Sequence, residues 1–466
     1  MKKSAKEKSI HVLILAGLYA VTAAVFYLAA TRPHTPAAGL DGIRVAILVL
    51  LIPLLAMHLL QLVCTPFYSL FDKLRRPPDN PVRMPSVSVL IPAWNEEVGI
   101  VKTIRSVLDT QYPRLQVVVV NDGSTDGTHA KVTGFMAAYK AGESRAARID
   151  YVRVPNGGKA RALNRALLKA GGEIIVTIDA DSVMHPGAIT GLVKRFAEPD
   201  VGAVAGHVVV GNRTKPIEWM QEMEYLFGFF FKRADSLFSS VYIIGGAAAA
   251  YRREVLQAVG GFDPGIITED IEMSTRILRW GYKTRYAADA VVYTECPSDL
   301  KGLCNQRLRW KYGRILTFIK HRQLFFSLRP RHNVYLTFLV LPMAVYAEVL
   351  RLVVNAMLPL FFVHMALTSN YLPLACLITV MATIFGVQVA ADARWRFHRN
   401  LVLLAPAIWL VFYAVDMIEL QALIRSLKRL VSRQELRWQR WVRVGIPQKA
   451  CSPTPQVRLV PLRQRR

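Results

Sequence analysis

Val117–Thr128 reads VVVVNDGSTDGT. An unbroken β-branched run suits a strand buried on both faces, and Asn-Asp-Gly-Ser behind it is turn chemistry. The turn places the Asp122 carboxylate directly after the strand, with Ser124 or Thr125 available to cap a following helix. A carboxylate presented there can also accept a hydrogen bond from a nucleobase N–H. Outward from this stretch the pattern repeats. Ser86–Ile91 (SVSVLI), Gln116–Val120, Ile149–Val154 and Glu173–Ile178 read as strands, whereas Glu97–Asp109, Asp126–Ala141 and Lys159–Ala170 have helical spacing. Strands alternating with helices predict an α/β domain: a doubly wound, mostly parallel sheet with helices on both faces. Such sheets bind ligands beyond the carboxyl ends of their strands, so the polar residues after each strand are the ones to inspect.

Beyond this domain the chain becomes strongly apolar. Of 466 residues 53% are hydrophobic, and mean hydropathy is +0.27. Runs at His11–Ala30, Ile43–Leu70, Val334–Met365, Tyr371–Ala391 and Leu401–Ile424 are long enough to cross a bilayer. The first is read as a retained anchor rather than a signal peptide. The net charge of +26 would suit nucleic acid in a soluble protein. Here the basic residues flank the apolar runs: Lys2, Lys3, Lys6 and Lys8; Lys73, Arg75 and Arg76; and Arg425, Lys428, Arg429, Arg433, Arg437, Arg440 and Arg443. That is the positive-inside pattern, with membrane lipids as partner and no nucleic acid. Two N-terminal spans place the α/β domain in the cytoplasm, but three later ones put the basic tail outside. Either one run is re-entrant, or Val334–Met365 is two short elements, or the rule is broken. Glu348 and Arg351 inside that run are either a salt bridge between helical turns or the lining of a polar channel. The five cysteines show no CxxC spacing, and no Cys/His cluster has zinc-ligand spacing. The expected division is a membrane region at residues 1–84, the α/β domain at 85–297, interfacial helices at 298–332, further spans at 333–424 and a basic tail at 425–466.

Several polar clusters sit where this architecture puts a site. In VSVLIPAWNEE (Val87–Glu97) Pro92 closes a strand and the turn exposes Glu96. In NGGKARALN (Asn156–Asn164) a glycine turn precedes a helix carrying Lys159 and Arg161, a combination suited to phosphate, though without P-loop spacing. In TIDADS (Thr177–Ser182) Asp179 and Asp181 follow an apolar strand and offer hard oxygens to a divalent cation. Thr268-Glu269-Asp270 enters a helix; Asp270 is the candidate general base, while an acidic N-cap is the plain alternative. In QRLRW (Gln306–Trp310) Gln306, Arg309 and Trp310 share one helix and suit a diphosphate and a sugar face; a snorkelling interfacial helix is the plain alternative.

Taken in order, the NDGS turn at Asp122, Asp179-Ala180-Asp181, Thr268-Glu269-Asp270 and Gln306–Trp310 resemble the processive family-2 glycosyltransferases, the group of cellulose, chitin, hyaluronan and poly-N-acetylglucosamine synthases. The resemblance covers about Ser86–His321. It implies a GT-A domain inserted between transmembrane helices in the inner (cytoplasmic) membrane, with a UDP-sugar donor and a polysaccharide or glycolipid acceptor. It implies that Pro92, Glu96, Asp122, Lys159, Asp179 and Asp181 bind the donor, with Asp122 on uracil and Asp181, helped by Asp179, on Mg²⁺ or Mn²⁺. Asp270 would be the base of an inverting transfer. Gly245, Gly246, Glu269, Gln306, Arg309 and Trp310 would serve the acceptor and diphosphate, with GGAAAAYRR (Gly245–Arg253) as a small-residue loop beneath the acceptor. The wording around Gly206–Glu224 is most similar to poly-N-acetylglucosamine synthases. Any regulation by a cyclic dinucleotide would require another subunit, such as a small membrane partner. Ceramide glucosyltransferases share much of this motif set, so transfer of one or a few sugars to lipid is the alternative. A non-enzymatic channel subunit is disfavoured by the intact acidic residues.

Overall fold

Period-two alternation sorts the strands' side chains into two layers. In β1 (Val87–Ala93), Val87, Val89, Ile91 and Ala93 join one core and Leu90 the other; in β2 (Leu115–Asp122), Val117 and Val119 oppose Val118 and Val120. A sheet buried on both faces needs a helical layer on each, as expected. The remaining strands are β3 (Arg148–Val154), β4 (Ile174–Thr177), β5 (Ser182–Met184), β6 (Val201–Val210), β7 (Ala249–Arg252) and β8 (Lys283–Thr294), in the spatial order β3-β2-β1-β4-β7-β6-β8-β5. The pairs β1/β2, β1/β4, β2/β3 and β6/β8 are parallel; β7 and β5 bring the antiparallel contacts. The computed structural model describes residues 41–75, 84–141, 147–434, 436 and 443–447, with isolated residues between 16 and 31. The apolar run at His11–Ala30 therefore lies largely outside the described residues.

In chain order the helices used below are α1 (Asp41–Cys64), α2 (Ile100–Leu108), α3 (Thr128–Ala141), α4 (Lys159–Lys169), α5 (Pro216–Leu237), α6 (Glu269–Arg279), α7 (Leu300–Lys320), α8 (Leu341–Thr368), α9 (Leu372–Ala391) and α10 (Ile408–Val431). The strand expected at Ser86–Ile91 runs on through Pro92. The Leu90 carbonyl accepts the Ile178 N–H on the β4 side, and residues two apart address the same neighbour. The N–H that Pro92 lacks would thus point past Thr177, the last β4 residue paired with β1. Helix α3 begins at Thr128 because the Asp126 carboxylate takes the Thr128 N–H (3.0 Å) and hydroxyl (2.5 Å). Asp126, rather than Ser124 or Thr125, supplies that cap. Thr268 fills the N-cap position of α6 without making the side-chain cap bond expected of it.

Among the described residues four helical segments are long and apolar enough to cross a membrane: Val49–Leu74, Tyr335–Thr368, Leu372–Ala391 and Trp395–Val431. The last is a dip and a return. His398, at its start, bonds Glu222 of α5 beside the sheet, and Trp409 then packs against Phe362, far along α8. Beyond α10, the Gln434 carbonyl meets the Tyr312 hydroxyl of α7 (3.3 Å) and Arg443 reaches the sheet. One end of this segment meets the α/β domain through His398, and Gln434, just beyond the other end, meets α7. Glu348 and Arg351 do form the pair between helical turns (3.1 Å), within a larger network. Glu348 also pairs with Lys311 (2.6 Å) and Arg314 of α7, while Arg351 reaches Asp416 (2.6 Å) and Glu419 (3.4 Å) of α10. Lys311 meets Glu419 at 2.5 Å, so opposite charges tie α7 to α8 and α10.

Candidate active site

The carboxyl ends of β1, β2 and β4 open on one side of the sheet, and the acidic residues gather there. After β4 the chain turns through Asp179 and Asp181, closed by the Ser182 N–H on the Asp179 carbonyl (3.0 Å). Lys159, the first residue of α4, lays its ammonium between Asp179 Oδ1 (2.6 Å) and Glu269 Oε1 (3.0 Å). Burial opposes a charge on Lys159, yet Asp179, Glu269 and Asp270 prevail and hold its pKa well above the ordinary lysine value. Burial pushes Glu269 up, with Lys159 acting against it. The Gly246 N–H donates to Asp270 Oδ2 (2.8 Å), and the Ile271 N–H donates to Asp270 Oδ1 (2.8 Å). Each oxygen keeps a lone pair free for a further partner.

Gly246 lies at the centre of this group. A Cβ there would fall 2.6 Å from Lys159 Nζ and 3.6 Å from Asp179 Oδ1 and Asp270 Oδ2. A Cβ at Gly245 would meet no atom within 4 Å, so the loop borders open space. Both small residues therefore leave room, one for the ammonium and one for something outside the protein.

Asp122 is almost wholly buried and works on the glycine turn. Its Oδ1 accepts the Gly157 N–H (2.9 Å), its Oδ2 the Gly158 N–H (2.9 Å), and Asn156 Nδ2 approaches at 3.3 Å. Gly158, at φ +88°, takes a conformation that side chains rarely adopt, and α4 starts at the next residue. Asp122 thus sets the position from which Lys159 projects. Asn95, Ser124 and Thr128 lock the β1 turn against the β2 turn.

The residue that sequence reasoning placed elsewhere is Arg443. Counted among the membrane-flanking basic residues, it enters the acidic cluster and meets Asp181 Oδ2 at 2.6 Å and Glu96 Oε1 at 2.5 Å. The Val444 N–H donates to Glu295 (2.6 Å), the Ile446 carbonyl accepts from Lys102 (2.5 Å), and Ile446 packs among Val183, Val209, Val291 and Tyr293. Burial pushes Glu96 up to about 8 even with Arg443 beside it. Burial opposes the Arg443 charge, but Asp181, Glu96 and Glu295 more than offset it. The available signal was Val444-Gly445-Ile446-Pro447, an apolar turn that interrupts the basic run.

Of the QRLRW residues, Arg309 joins the cluster electrostatically. Its burial lowers its pKa, while Glu269, Asp179 and Asp270 act in the opposite direction. Gln306 keeps a buried Oε1 without a hydrogen-bond partner. Trp310 stacks under Arg307 (4.4 Å), and Arg307 pairs with Glu224 of α5 at 2.6 Å, on a different side from Arg309. Gly313 of α7 packs so closely on Thr268 that a Cβ would lie 2.2 Å from its hydroxyl oxygen. That approach holds the Arg309 helix against the Asp270 helix.

This donor set suits a hard divalent cation. Asp181 and Glu96 already face one cationic group, the Arg443 guanidinium, and Asp179 lies two residues from Asp181. Residues 85–313 match the family model described as glycosyltransferase like family 2. Poly-beta-1,6-N-acetyl-D-glucosamine synthase of Staphylococcus epidermidis is 30% identical over 231 residues, 49% of this chain and 54% of that protein. The enzyme of the same name from Staphylococcus aureus strain COL is 30% identical over 245 residues, 51% and 57% of the two chains. The chain thus spans about half the length of the curated relatives it matches. Among solved structures, a mannosyltransferase from Pyrobaculum calidifontis, in complex with GDP-Man and Mn²⁺, superposes with a TM-score of 0.51 at 24% identity. The match covers 83% of this chain and 100% of that one, and it shows a shared fold.

Proposed function

We propose, from the premise that residues 85–313 form a family-2 glycosyltransferase domain of the GT-A fold, that the chain polymerises N-acetylglucosamine from a UDP-sugar by an inverting transfer. The observation that carries this reading is the convergence of Lys159, Asp179, Glu269 and Asp270 around the Gly246 backbone, beside open space at Gly245. The named relatives point to the sugar.

Inversion requires one base opposite the leaving group. Asp270 takes that role: the Gly246 and Ile271 N–H groups fix its carboxylate, and its free lone pairs can take the acceptor hydroxyl proton as that oxygen attacks the sugar carbon. Lys159 and Arg309 supply positive charge where the diphosphate leaves. Asp122 holds the glycine turn and faces the base of the nucleotide. Asp181 and Asp179 would hold Mg²⁺ or Mn²⁺, which when bound neutralises diphosphate charge. Glu269 keeps Lys159 in place, while Gln306 and Trp310 belong to the acceptor side. The donor domain lies on the cytoplasmic side of the inner membrane, and the product leaves along the helices to which α7 is tied by Lys311 and Arg314.

The test supplies labelled UDP-N-acetylglucosamine and Mg²⁺ or Mn²⁺ to the full chain, both purified and in native membranes, where a small partner subunit would be retained. High-molecular-weight product is expected, protected from added glycosidase inside inverted vesicles. A single labelled lipid band would overturn polymerisation. Asp270→Asn is expected to cut turnover by about 10²–10⁴ with UDP affinity unchanged; wild-type turnover in that variant would remove Asp270 from the mechanism.

A further inference from the structure

We propose that His207, Asp392 and His398 form a zinc site fastening the sheet to the chain where the last two candidate spans meet. His207 lies on β6, Asp392 follows α9, and His398 ends the short helical turn Trp395–His398. All are at least 93% buried, with residual exposures of 2%, 7% and 1%. One donor atom from each lies within 4.8 Å of the other two. His207 Nε2 is 3.1 Å from Asp392 Oδ2, and His398 Nε2 is 3.5 Å from Asp392 Oδ1. Tetrahedral zinc with bonds of about 2.0–2.1 Å separates its ligand atoms by roughly 3.3 Å. Each imidazole stands near that distance from one Asp392 oxygen, His207 from Oδ2 and His398 from Oδ1, so the carboxylate would bridge them through both oxygens or turn to offer one.

The hydrogen bonding points to an ion between them. Both Nε2 atoms are buried and make no well-aligned hydrogen bond; each has only an Asp392 oxygen before it, at 3.1 Å for His207 and 3.5 Å for His398. The outer nitrogens are engaged: His398 Nδ1 with Glu222 Oε1 (2.6 Å) and His207 Nδ1 with the Tyr286 hydroxyl (2.7 Å). A carboxylate only accepts, so Glu222 takes a hydrogen from His398 Nδ1, and the other ring nitrogen, Nε2, faces Asp392. Nε2 and Asp392 Oδ1 face each other at 3.5 Å without a hydrogen bond between them, a gap that a cation would close. Glu222 is steadied by Arg213 (2.6 Å), and Asp392 Oδ1 by the Arg394 N–H (2.6 Å). Such outer partners orient metal-binding imidazoles.

Two imidazoles and one carboxylate favour zinc among hard and borderline ions. Iron sites with this ligand set keep several positions open for substrate; the buried trio here leaves at most one, which in this proposal a water would fill as the fourth zinc ligand. The all-oxygen set at Asp179 and Asp181 selects a different ion, so the sites can be assayed separately. Sequence spacing could not reveal the trio, because its members lie on a strand and on the far side of two helices.

The experiment uses the full chain in detergent, with its affinity tag removed and no chelator present. Elemental analysis is expected to find roughly one zinc per chain. Asp392→Asn and His398→Gln are each expected to reduce zinc to background, while Asp181→Asn retains it. Stripped protein should melt at a lower temperature and recover with one equivalent of Zn²⁺, and Co²⁺ in its place should show the visible absorption of a tetrahedral site. Zinc-free protein whose melting temperature ignores added Zn²⁺, and which gives no cobalt band, would overturn the proposal and leave a proton-held ion cluster. Should both variants fail to fold, the zinc content and cobalt spectrum of the unaltered chain decide the matter.

Discussion

Gly313→Ala is expected to damage turnover far more than nucleotide binding. The new Cβ would stand 2.2 Å from Thr268 Oγ1, 2.6 Å from Cγ2 and 2.8 Å from Cβ, where ordinary contacts begin near 3.4 Å. Rotating the threonine moves the first two atoms but not its Cβ, and the residue is only 4% exposed. The starts of α6 and the middle of α7 must therefore part by about 1 Å, at an overpacking cost of about 1–3 kcal/mol. Glu269 and Asp270 follow Thr268 directly, and Arg309 lies one turn before Gly313, so the displacement falls on the reacting geometry. A misplacement of about 1 Å can cost roughly 10²-fold in rate. Asp122 and the glycine turn are on other elements, so UDP affinity should fall far less than turnover, by no more than about tenfold through the shifted Arg309. The assay pairs labelled-sugar incorporation with UDP titration and a thermal melt. Adding Thr268→Ala removes the two nearest atoms but leaves the Cβ, and is expected to restore about tenfold of the loss. Wild-type turnover and melting temperature in Gly313→Ala would refute the close approach of these helices.

Asp181→Ala is expected to weaken metal-dependent UDP binding; unchanged affinity with Mn²⁺ present would exclude it as a ligand. Arg443→Ala removes a cation in contact with Asp181 and should tighten Mn²⁺ binding by about tenfold or more, read by calorimetry; weaker binding would show that the arginine does not compete with metal. Glu272 should make the domain acid-sensitive. Burial raises its pKa, but hydrogen bonds from His321, Arg276 and Lys320 outweigh this and hold it at about 2, below the ordinary 4.5. Its contribution, about 3 kcal/mol, is complete above pH 4.5 and lost as pH falls toward 2. Thermal melts across that window should flatten in Glu272→Gln, and equal acid sensitivity in the variant would contradict the assignment.

Local pattern made half of the sheet legible. The β-branched runs at Val87–Ile91, Val117–Val120 and Ile174–Thr177 alternate between two cores, and each ends in the polar residues that build the site. The later strands were harder to read because their order is set by distant pairing: Ala249–Arg252 inserts antiparallel between β4 and β6. Asp179, Lys159, Glu269 and Asp270 were visible as types at suggestive positions, but their meeting around Gly246 depends on that insertion. Arg443 looked like lipid-facing charge because it closes a basic run whose one acidic member is Glu435; Glu96 and Asp181 reach it only through the fold. Thr268 looked like a cap, yet its buried hydroxyl has no hydrogen-bond partner.

Taken as a membrane element, the segment Trp395–Val431 has a consequence for the lipid around it. A simple spanning helix adapts to bilayer thickness by tilting. This segment has one end held at His398 by Glu222, and Gln434, just beyond the other end, meets Tyr312 of α7. Its depth is therefore set by protein contacts, and a thinner or thicker bilayer must deform around it or pull on its ends. Arg443 lies farther along the same chain among the carboxylates at Asp181, so the proposed donor site would feel any strain passed along it.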